Sequence, residues 1–346
     1  MMKDLLLVTG GAGFIGSQFI RSLLADAGTE TCIVNLDALT YAADLANLAP
    51  VAADARYHFV HGDVRDAALL ARLFADFPFT AVVHFAAESH VDRSISAAAQ
   101  FAATNVVGTQ ILLDAACAAW RQADGSMLPG RRFLQISTDE VYGPAAGGCS
   151  FREDAALAPC NPYAASKAAA DLLGLAAWRT HGLPVMISRC VNNFGPGQHA
   201  EKLIPRMIRC ALAGEALPVY GDGSARRDWL HAADHCSALR GLLALGKPGE
   251  IYHIAAHDEY SVLSVVEQLL AQPVLAGGRI AFVADRPAHD MRYALDDGKL
   301  RRLLGWQPRH ALADELPALV AWYQEKFRHG ADAAFAAAPL FPPAQR

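Results

Sequence analysis

The sequence predicts an α/β fold, a Rossmann-type doubly wound parallel sheet with a smaller C-terminal substrate-binding domain. Three observations lead there. Apolar runs of strand length alternate with helical stretches between Leu5 and Arg189. The first run feeds a glycine-rich turn that opens a helix. Asp37 closes the second run about 20 residues on, where a ribose-binding acid belongs.

Leu5-Leu6-Leu7-Val8-Thr9 is the first strand, and Phe14, Ile15, Phe19, Ile20, Leu23 and Leu24 recur at helical spacing after it. Thr31–Asp37 and Tyr57–Val60 read as the next two strands. Ala81–Phe85, Phe133–Ser137 and Val185–Arg189 read as strands four to six. Helices are expected near 67–76, 98–120 and 163–180. After about Asn192, glycine-punctuated shorter elements begin. Glu250–Ile254 has the apolar character of a strand that returns to the main sheet. The expected domains are 1–192 plus about 231–257 for the cofactor, and 193–230 with 258–346 for the substrate.

The chain has 346 residues, enough for one large or two modest domains. Apolar residues make up 53% and charged residues 19%, which is globular composition. A net charge of −5 argues against nucleic acid or an anionic membrane as partner. No apolar run reaches bilayer length, and no signal-peptide pattern precedes the first strand. The seven cysteines are scattered without a CxxC pair, so reduced thiols in the cytoplasm are expected. The histidines show no metal-ligand spacing, and no metal is expected.

Gly10, Gly13 and Gly16 follow a strand and open a helix, so the backbone can turn tightly and approach a pyrophosphate at the helix N-terminus. No arginine follows Asp37, which favours NAD over NADP, whose 2′-phosphate the carboxylate would repel. Asp63, after the third strand, could hold the adenine, or could simply cap a helix starting at Arg65. Asn161 and Pro162 suit a helix start, placing Tyr163 and Lys167 one turn apart on one face. A tyrosine needs help to act as a base near neutral pH, and a neighbouring cation favours its phenolate. The adjacent carboxylates Asp139 and Glu140 follow the fifth strand, where open α/β sheets bind ligands. Such a set suits oxidation of an alcohol followed by acid–base chemistry beside the new ketone. Neighbours in an extended strand point to opposite faces, so both acids serve one substrate only if the strand has ended or turned.

With these motifs the chain resembles the extended short-chain dehydrogenase/reductase family, and within it the NDP-hexose 4,6-dehydratases. The likeness runs through Thr9–Gly16, Asp37–Ala42, Ala86–Ser94, Ser137–Gly143, Tyr163–Lys167, Asn192–Pro196 and Glu201–Pro205. It continues through Tyr220–Gly223, Arg227–Leu230 and Arg286–Asp290. The resemblance implies NAD as cofactor, a nucleotide sugar as substrate (dTDP-glucose first) and a homodimer paired through the helices at 98–120 and 163–180. It implies that Tyr163 is the base for the C4 hydroxyl, Thr138 a hydrogen bond to the C4 oxygen, Asp139 the acid for C6 and Glu140 the base for C5. Lys167 would tune Tyr163 and hold the ribose. Cofactor contacts are implied for Gly10, Gly13, Phe14, Ile15, Gly16, Asp37, Leu39, Thr40, Asp63, Val64, Ala86, Ala87, Ser89, Tyr163 and Lys167. Substrate contacts are implied for Ser89, Asn193, Glu201, Lys202, Leu203, Tyr220, Arg227 and His289. Alternatives are a dehydratase for a UDP-, GDP- or CDP-hexose, a nucleotide-sugar 4-epimerase, and an inactive NAD-binding sensor; the paired acids speak against the epimerase.

The chain departs from the family pattern in two places. Gly197-Gln198-His199-Ala200 replaces a stretch that usually holds an aromatic residue and a proline. Asp258 stands where an asparagine usually helps bind the diphosphate; a carboxylate there would repel phosphate unless it is protonated or faces away.

Overall fold

The computed structural model describes residues 4–26, 28–285 and 290–328. β1 (Leu5–Thr9) leads through the glycine turn into α1 (Phe14–Leu24), then β2 (Cys32–Asp37), β3 (Tyr57–His61), α2 (Ala67–Asp76) and β4 (Ala81–His84). A short α3 (Val91–Ser96) precedes a long helical stretch made of α4 (Ala98–Phe101), a π-helical segment at Ala102–Gly108, and α5 (Thr109–Trp120). β5 (Arg132–Thr138), α6 (Pro162–His181) and β6 (Val185–Cys190) complete this half. The predicted strands and helices are all present, with ends shifted by a residue or two.

What the sequence does not announce is the π-helical widening inside 98–120. Within it the side chain of Asn105 accepts from the Glu88 N–H (2.8 Å) and donates to the Glu88 carbonyl (3.0 Å) and to Ser166 Oγ (2.8 Å). The Asn105 carbonyl is satisfied by the Thr109 hydroxyl at 2.6 Å. By length and mean hydropathy the helix Ala98–Trp120 could cross a bilayer. In this fold Leu112, Leu113, Ala116 and Trp120 are instead buried in the same apolar cluster as Leu70 and Leu73 of α2.

Beyond β6 come β7 (Asn192–Phe194), α7 (Leu203–Leu212), β8 (Ala216–Tyr220), β9 (Arg226–His231) and α8 (Ala232–Leu245). They are followed by β10 (Ile251–Ile254), β11 (Glu259–Ser261), α9 (Val262–Leu270), β12 (Arg279–Val283), α10 (Gly298–Leu304) and α11 (Leu312–Arg328). The main sheet has the order β10-β6-β5-β4-β1-β2-β3, and all its pairings are parallel. Its strands are apolar on both faces because helices cover both, which is the burial a parallel sheet requires. Two apolar clusters pack its two faces, and a third holds Phe194, Ile204, Trp229, Val265 and Leu316 in the C-terminal half. Strand order reverses between β1 and β4, so the loops after β1, β4 and β5 face one crevice.

Candidate active site

A continuous cleft of about 360 Å³ runs along the carboxyl ends of the sheet. At its floor Gly10 has φ +71°, and a Cβ there would lie 2.6 Å from the Ala86 amide nitrogen. At Gly16 a Cβ would come within 2.4 Å of the Gly10 carbonyl, so strand and helix can touch only through glycine. Gly13 is the N-cap of α1, with no side-chain cap and no acid in the first turn, so no side chain competes with an anion for the N–H groups at this helix end. Asp37 accepts from the Ala12 N–H (2.8 Å) and the Leu39 N–H (2.8 Å), one per oxygen, and each oxygen keeps a lone pair for a hydroxyl. Leu39 reaches its carboxylate with φ +49°. This cradle fits a dinucleotide: close backbone, an open helix end and a fixed acid. Gly13, Phe14, Ile15, Thr40, Asp63, Val64, Ala86, Ala87 and Ser89 line the same cleft, whereas Leu39 does not.

Asp63 does not cap the following helix. Its carboxylate pairs with Arg65 (2.6–3.0 Å), and the cap of α2 is Asp66, which accepts from the Leu69 N–H at 2.9 Å. The helix spans Ala67–Asp76, as the sequence predicts, and the alternative of a cap at Asp63 fails because that carboxylate is held by Arg65.

The acid pair leaves β5 through one 3-10 turn at Asp139–Tyr142, capped by the Thr138 hydroxyl, which accepts from the Glu140 N–H at 3.3 Å. The turn resolves the alternation problem: with the strand ended, Asp139 and Glu140 both line the cleft. Asp139 is 3% exposed. Its Oδ1 accepts from Thr138 Oγ1 at 3.1 Å, and its Oδ2 is buried with no hydrogen-bond partner among the described residues. Burial first, and the Glu140 carboxylate second, push the Asp139 pKa up to about 8. Asp139 is therefore a neutral acid at pH 7 beside a second carboxyl group, the division of protonation states that acid–base pairs exploit.

Asn161 caps α6 by accepting from the Ala164 N–H at 2.8 Å, and Pro162 occupies its first turn. Tyr163 and Lys167 line the cleft from that helix. The Lys167 ammonium donates to the Ile136 carbonyl at 2.5 Å, so it bridges α6 to β5. Burial, and then the Glu140 charge, hold the Tyr163 phenol well above its ordinary range. The lowering expected from Lys167 is not among the influences on Tyr163: the Thr138 hydroxyl supplies the lowering contribution, and burial with the neighbouring carboxylates outweighs it, while the Lys167 ammonium is committed to a carbonyl.

On the far wall, Asn193 donates to the Val191 carbonyl (3.0 Å) and accepts from His235 Nδ1 (2.9 Å). Lys202 donates to the Ser89 carbonyl at 2.8 Å. Glu201 collects Tyr41 (3.3 Å), His90 (3.5 Å), Arg93 (3.7 Å) and His199 (3.7 Å), so the small Gly197–Ala200 stretch places an imidazole edge-on to Tyr41. Asn193, Glu201 and Lys202 line the cleft; Leu203, Tyr220 and Arg227 lie outside its lining. Tyr220 donates to Asp92 at 3.4 Å. Arg227 donates to the carbonyls of Arg226 (2.7 Å) and Asp290 (2.8 Å) and sits over the Tyr293 ring. His289 is outside the described residues. The carboxylate of Asp258 faces away from the crevice: its Oδ2 accepts from the Leu312 N–H at the start of α11, 2.7 Å away.

Sequence reasoning missed several cleft residues, among them Gln100, Thr104, Gln198 and His199. Gln100 comes from α4, where its amide donates to Glu88 at 2.9 Å, Thr104 from the π-helical segment, and Gln198 donates to the Asn193 carbonyl at 2.9 Å; none of these leaves a local signature.

Comparison with known proteins agrees with this fold. A family model described as GDP-mannose 4,6 dehydratase matches residues 7–317. A dTDP-glucose 4,6-dehydratase of Streptomyces niveus is 48% identical over 92% of this chain and 93% of its own length. The low-salt glycan biosynthesis protein Agl12 of Haloferax volcanii is 50% identical over 92% of this chain and 98% of its own. The crystal structure of DesIV, a dTDP-glucose 4,6-dehydratase from Streptomyces venezuelae solved with NAD and dTDP bound, superposes with a TM-score of 0.87. It is 49% identical, and the match covers 94% of this chain and 98% of that one.

Proposed function

We propose that this chain, which belongs to the nucleotide-sugar 4,6-dehydratases of the extended short-chain dehydrogenase/reductase family, converts dTDP-glucose to dTDP-4-keto-6-deoxyglucose. The observation that carries the reading is Asp139: a buried, neutral acid with an unpartnered oxygen, one residue from Glu140 in the same cleft. An epimerase needs no such pair.

NAD, when bound, accepts hydride from C4 and returns it to C6. The rest falls to the chain. Thr138 and Tyr163 hold the C4 oxygen, and Tyr163 takes its proton. Because burial and the carboxylates favour the neutral phenol, Tyr163 becomes a base only with a positive charge close by. The ketone acidifies C5–H, and Glu140 removes that proton. Asp139 Oδ2 gives its proton to the C6 hydroxyl, which leaves as water. A proton then returns to C5, and Glu140 is the group placed to supply it. The glycine turn, the open end of α1 and Asp37 hold the dinucleotide. Ser89, Asn193, Glu201 and Lys202 form the sugar side. Leu203, Tyr220, Arg227 and His289 belong to the nucleotide end by resemblance.

We assign residues 1–192 with about 231–257 to the cofactor domain, supported by the pairing of β10 with β6, and 193–230 with 258–346 to the substrate domain. A homodimer is supported by the exposed apolar side chains Val107, Leu172 and Trp178 on the two long helical stretches. A cytoplasmic setting is supported by seven unpaired cysteines. The test is a panel of dTDP-, UDP-, GDP- and CDP-hexoses with product masses measured. Loss of 18 mass units from dTDP-glucose (one water) is expected; C4 epimers without water loss would refute the dehydratase reading.

A further inference from the structure

Behind the cleft a chain of buried hydrogen bonds joins α6, β5, β6 and the 3-10 turn, each of which carries part of the site, and ties them to β10. Asp171 lies on α6 one turn beyond Lys167 and is fully buried. Its Oδ2 accepts from Arg189 Nε of β6 at 2.8 Å and from Ser137 Oγ of β5 at 3.0 Å. Arg189 Nη1 donates to the hydroxyl of Tyr142, the last residue of the 3-10 turn, at 2.5 Å. Tyr142 lies 2.7 Å from His253 Nε2 of β10, and His253 Nδ1 lies 3.0 Å from the Asp296 carbonyl.

The direction of every bond follows from chemistry. Arginine only donates, so the Tyr142 oxygen accepts from it and spends its own proton on His253. His253 then carries its proton on Nδ1, which donates to the Asp296 carbonyl. Burial pushes the His253 pKa down to about 4, so its Nε2 stays an acceptor at neutral pH. Burial likewise pushes the Tyr142 phenol up to about 12, so it stays a donor. The Tyr142 ring packs on Phe151 at 5.0 Å, with the Arg189 guanidinium 4.8 Å from its centroid. Asp171, Arg189, Tyr142 and His253 are all absent from the cleft lining, so none is placed to touch substrate.

The turn needs such an anchor. A single 3-10 turn has weak internal hydrogen bonds. Its entry is fixed by the Thr138 cap, but its exit runs straight into Gly143 at φ +72°. We propose that Tyr142 is a positioning residue for the acid pair: its doubly bonded hydroxyl ties the exit of the turn to α6 and so sets Asp139 and Glu140 relative to Tyr163 and Lys167. The proposal rests on the dehydratase reading and adds to it a residue that serves elimination and not oxidation.

The experiment uses the NAD-loaded protein in single turnover with dTDP-glucose, following NADH absorbance for the first step and product mass for the elimination. Tyr142→Phe keeps the ring and removes the hydroxyl. Oxidation at C4 is expected at the parental rate, while elimination slows by about 10²-fold, the scale of a misplaced catalytic group. The alkaline limb of elimination is expected to move to lower pH, because a looser turn exposes Asp139. Phe151→Leu loosens the same ring without touching the hydrogen bonds, and is expected to leave the ratio of the two steps unchanged. Equal slowing of both steps by Tyr142→Phe, an unchanged elimination rate, or the same selective loss in Phe151→Leu overturns the proposal. Where Tyr142→Phe does not fold, His253→Gln loosens the far end of the chain, and the same selective loss is required of it. Should the parent itself yield no dehydrated product, the dehydratase reading fails, and the proposal with it; a working parent with an unselective variant overturns the positioning role alone.

Discussion

Replacing Asp139 by asparagine removes one titrating proton and almost nothing else. The side chain keeps its shape, and an amide can still accept from Thr138 Oγ1, now 3.1 Å from Oδ1. What disappears is a carboxyl group whose pKa burial and Glu140 raise to about 8. At pH 7 such a group is protonated by about ten to one, so the parent holds its acid ready and loses it as pH rises through about 8. Elimination by the parent should therefore fall tenfold per pH unit above that point. Asp139→Asn should be slower by about 10²–10⁴-fold and lack that limb. Stability supplies a second readout. The folded-state pKa lies above the unfolded one, so the native state keeps a proton that the unfolded chain releases. That contribution is complete below the ordinary carboxylate range and is lost as pH rises through about 8. Stability of the parent should decline relative to Asp139→Asn by up to about 1.4 kcal/mol per pH unit across this window. Denaturant unfolding of both proteins without substrate, from roughly pH 5 to pH 8, measures the slope. Parental turnover by Asp139→Asn, or parallel stability curves, would refute the assignment.

Two further substitutions test the cofactor and the altered loop. Asp37→Ala should weaken NAD binding about 10- to 100-fold, the scale of lost charge-assisted hydrogen bonds; calorimetric titration reads it, and NADP released from denatured parent in place of NAD would count against the role. Asp258→Ala should cost about 1 kcal/mol of stability by freeing the Leu312 N–H, with KM for the nucleotide sugar unchanged; a KM that drops on removal of this carboxylate would mean that it does face the diphosphate.

Much of the site was legible because its requirements are local. A glycine at φ +71°, an asparagine before a helix-opening proline, and an acid at a strand end each answer to the backbone within a few residues. Alternating apolar runs and helical periods likewise specify a parallel sheet without knowledge of distant partners. The same local logic placed the helix at 67–76 but left the role of Asp63 open, because an acid ahead of a helix reads equally as a cap or a ligand contact; the cap falls to Asp66 and the Asp63 carboxylate is held by Arg65. Asp258 shows the opposite limit: its residue type suggested repulsion of phosphate, and its direction toward α11, 54 residues later, depends on packing. By itself, then, the sequence determined the fold class, the cofactor cradle and the identity of the acid pair. Only the tertiary structure decided that Asp139 is neutral and that Tyr142, Arg189 and Asp171 brace its turn, because burial and hydrogen bonds between separate strands and helices exist only once the sheet has brought them together.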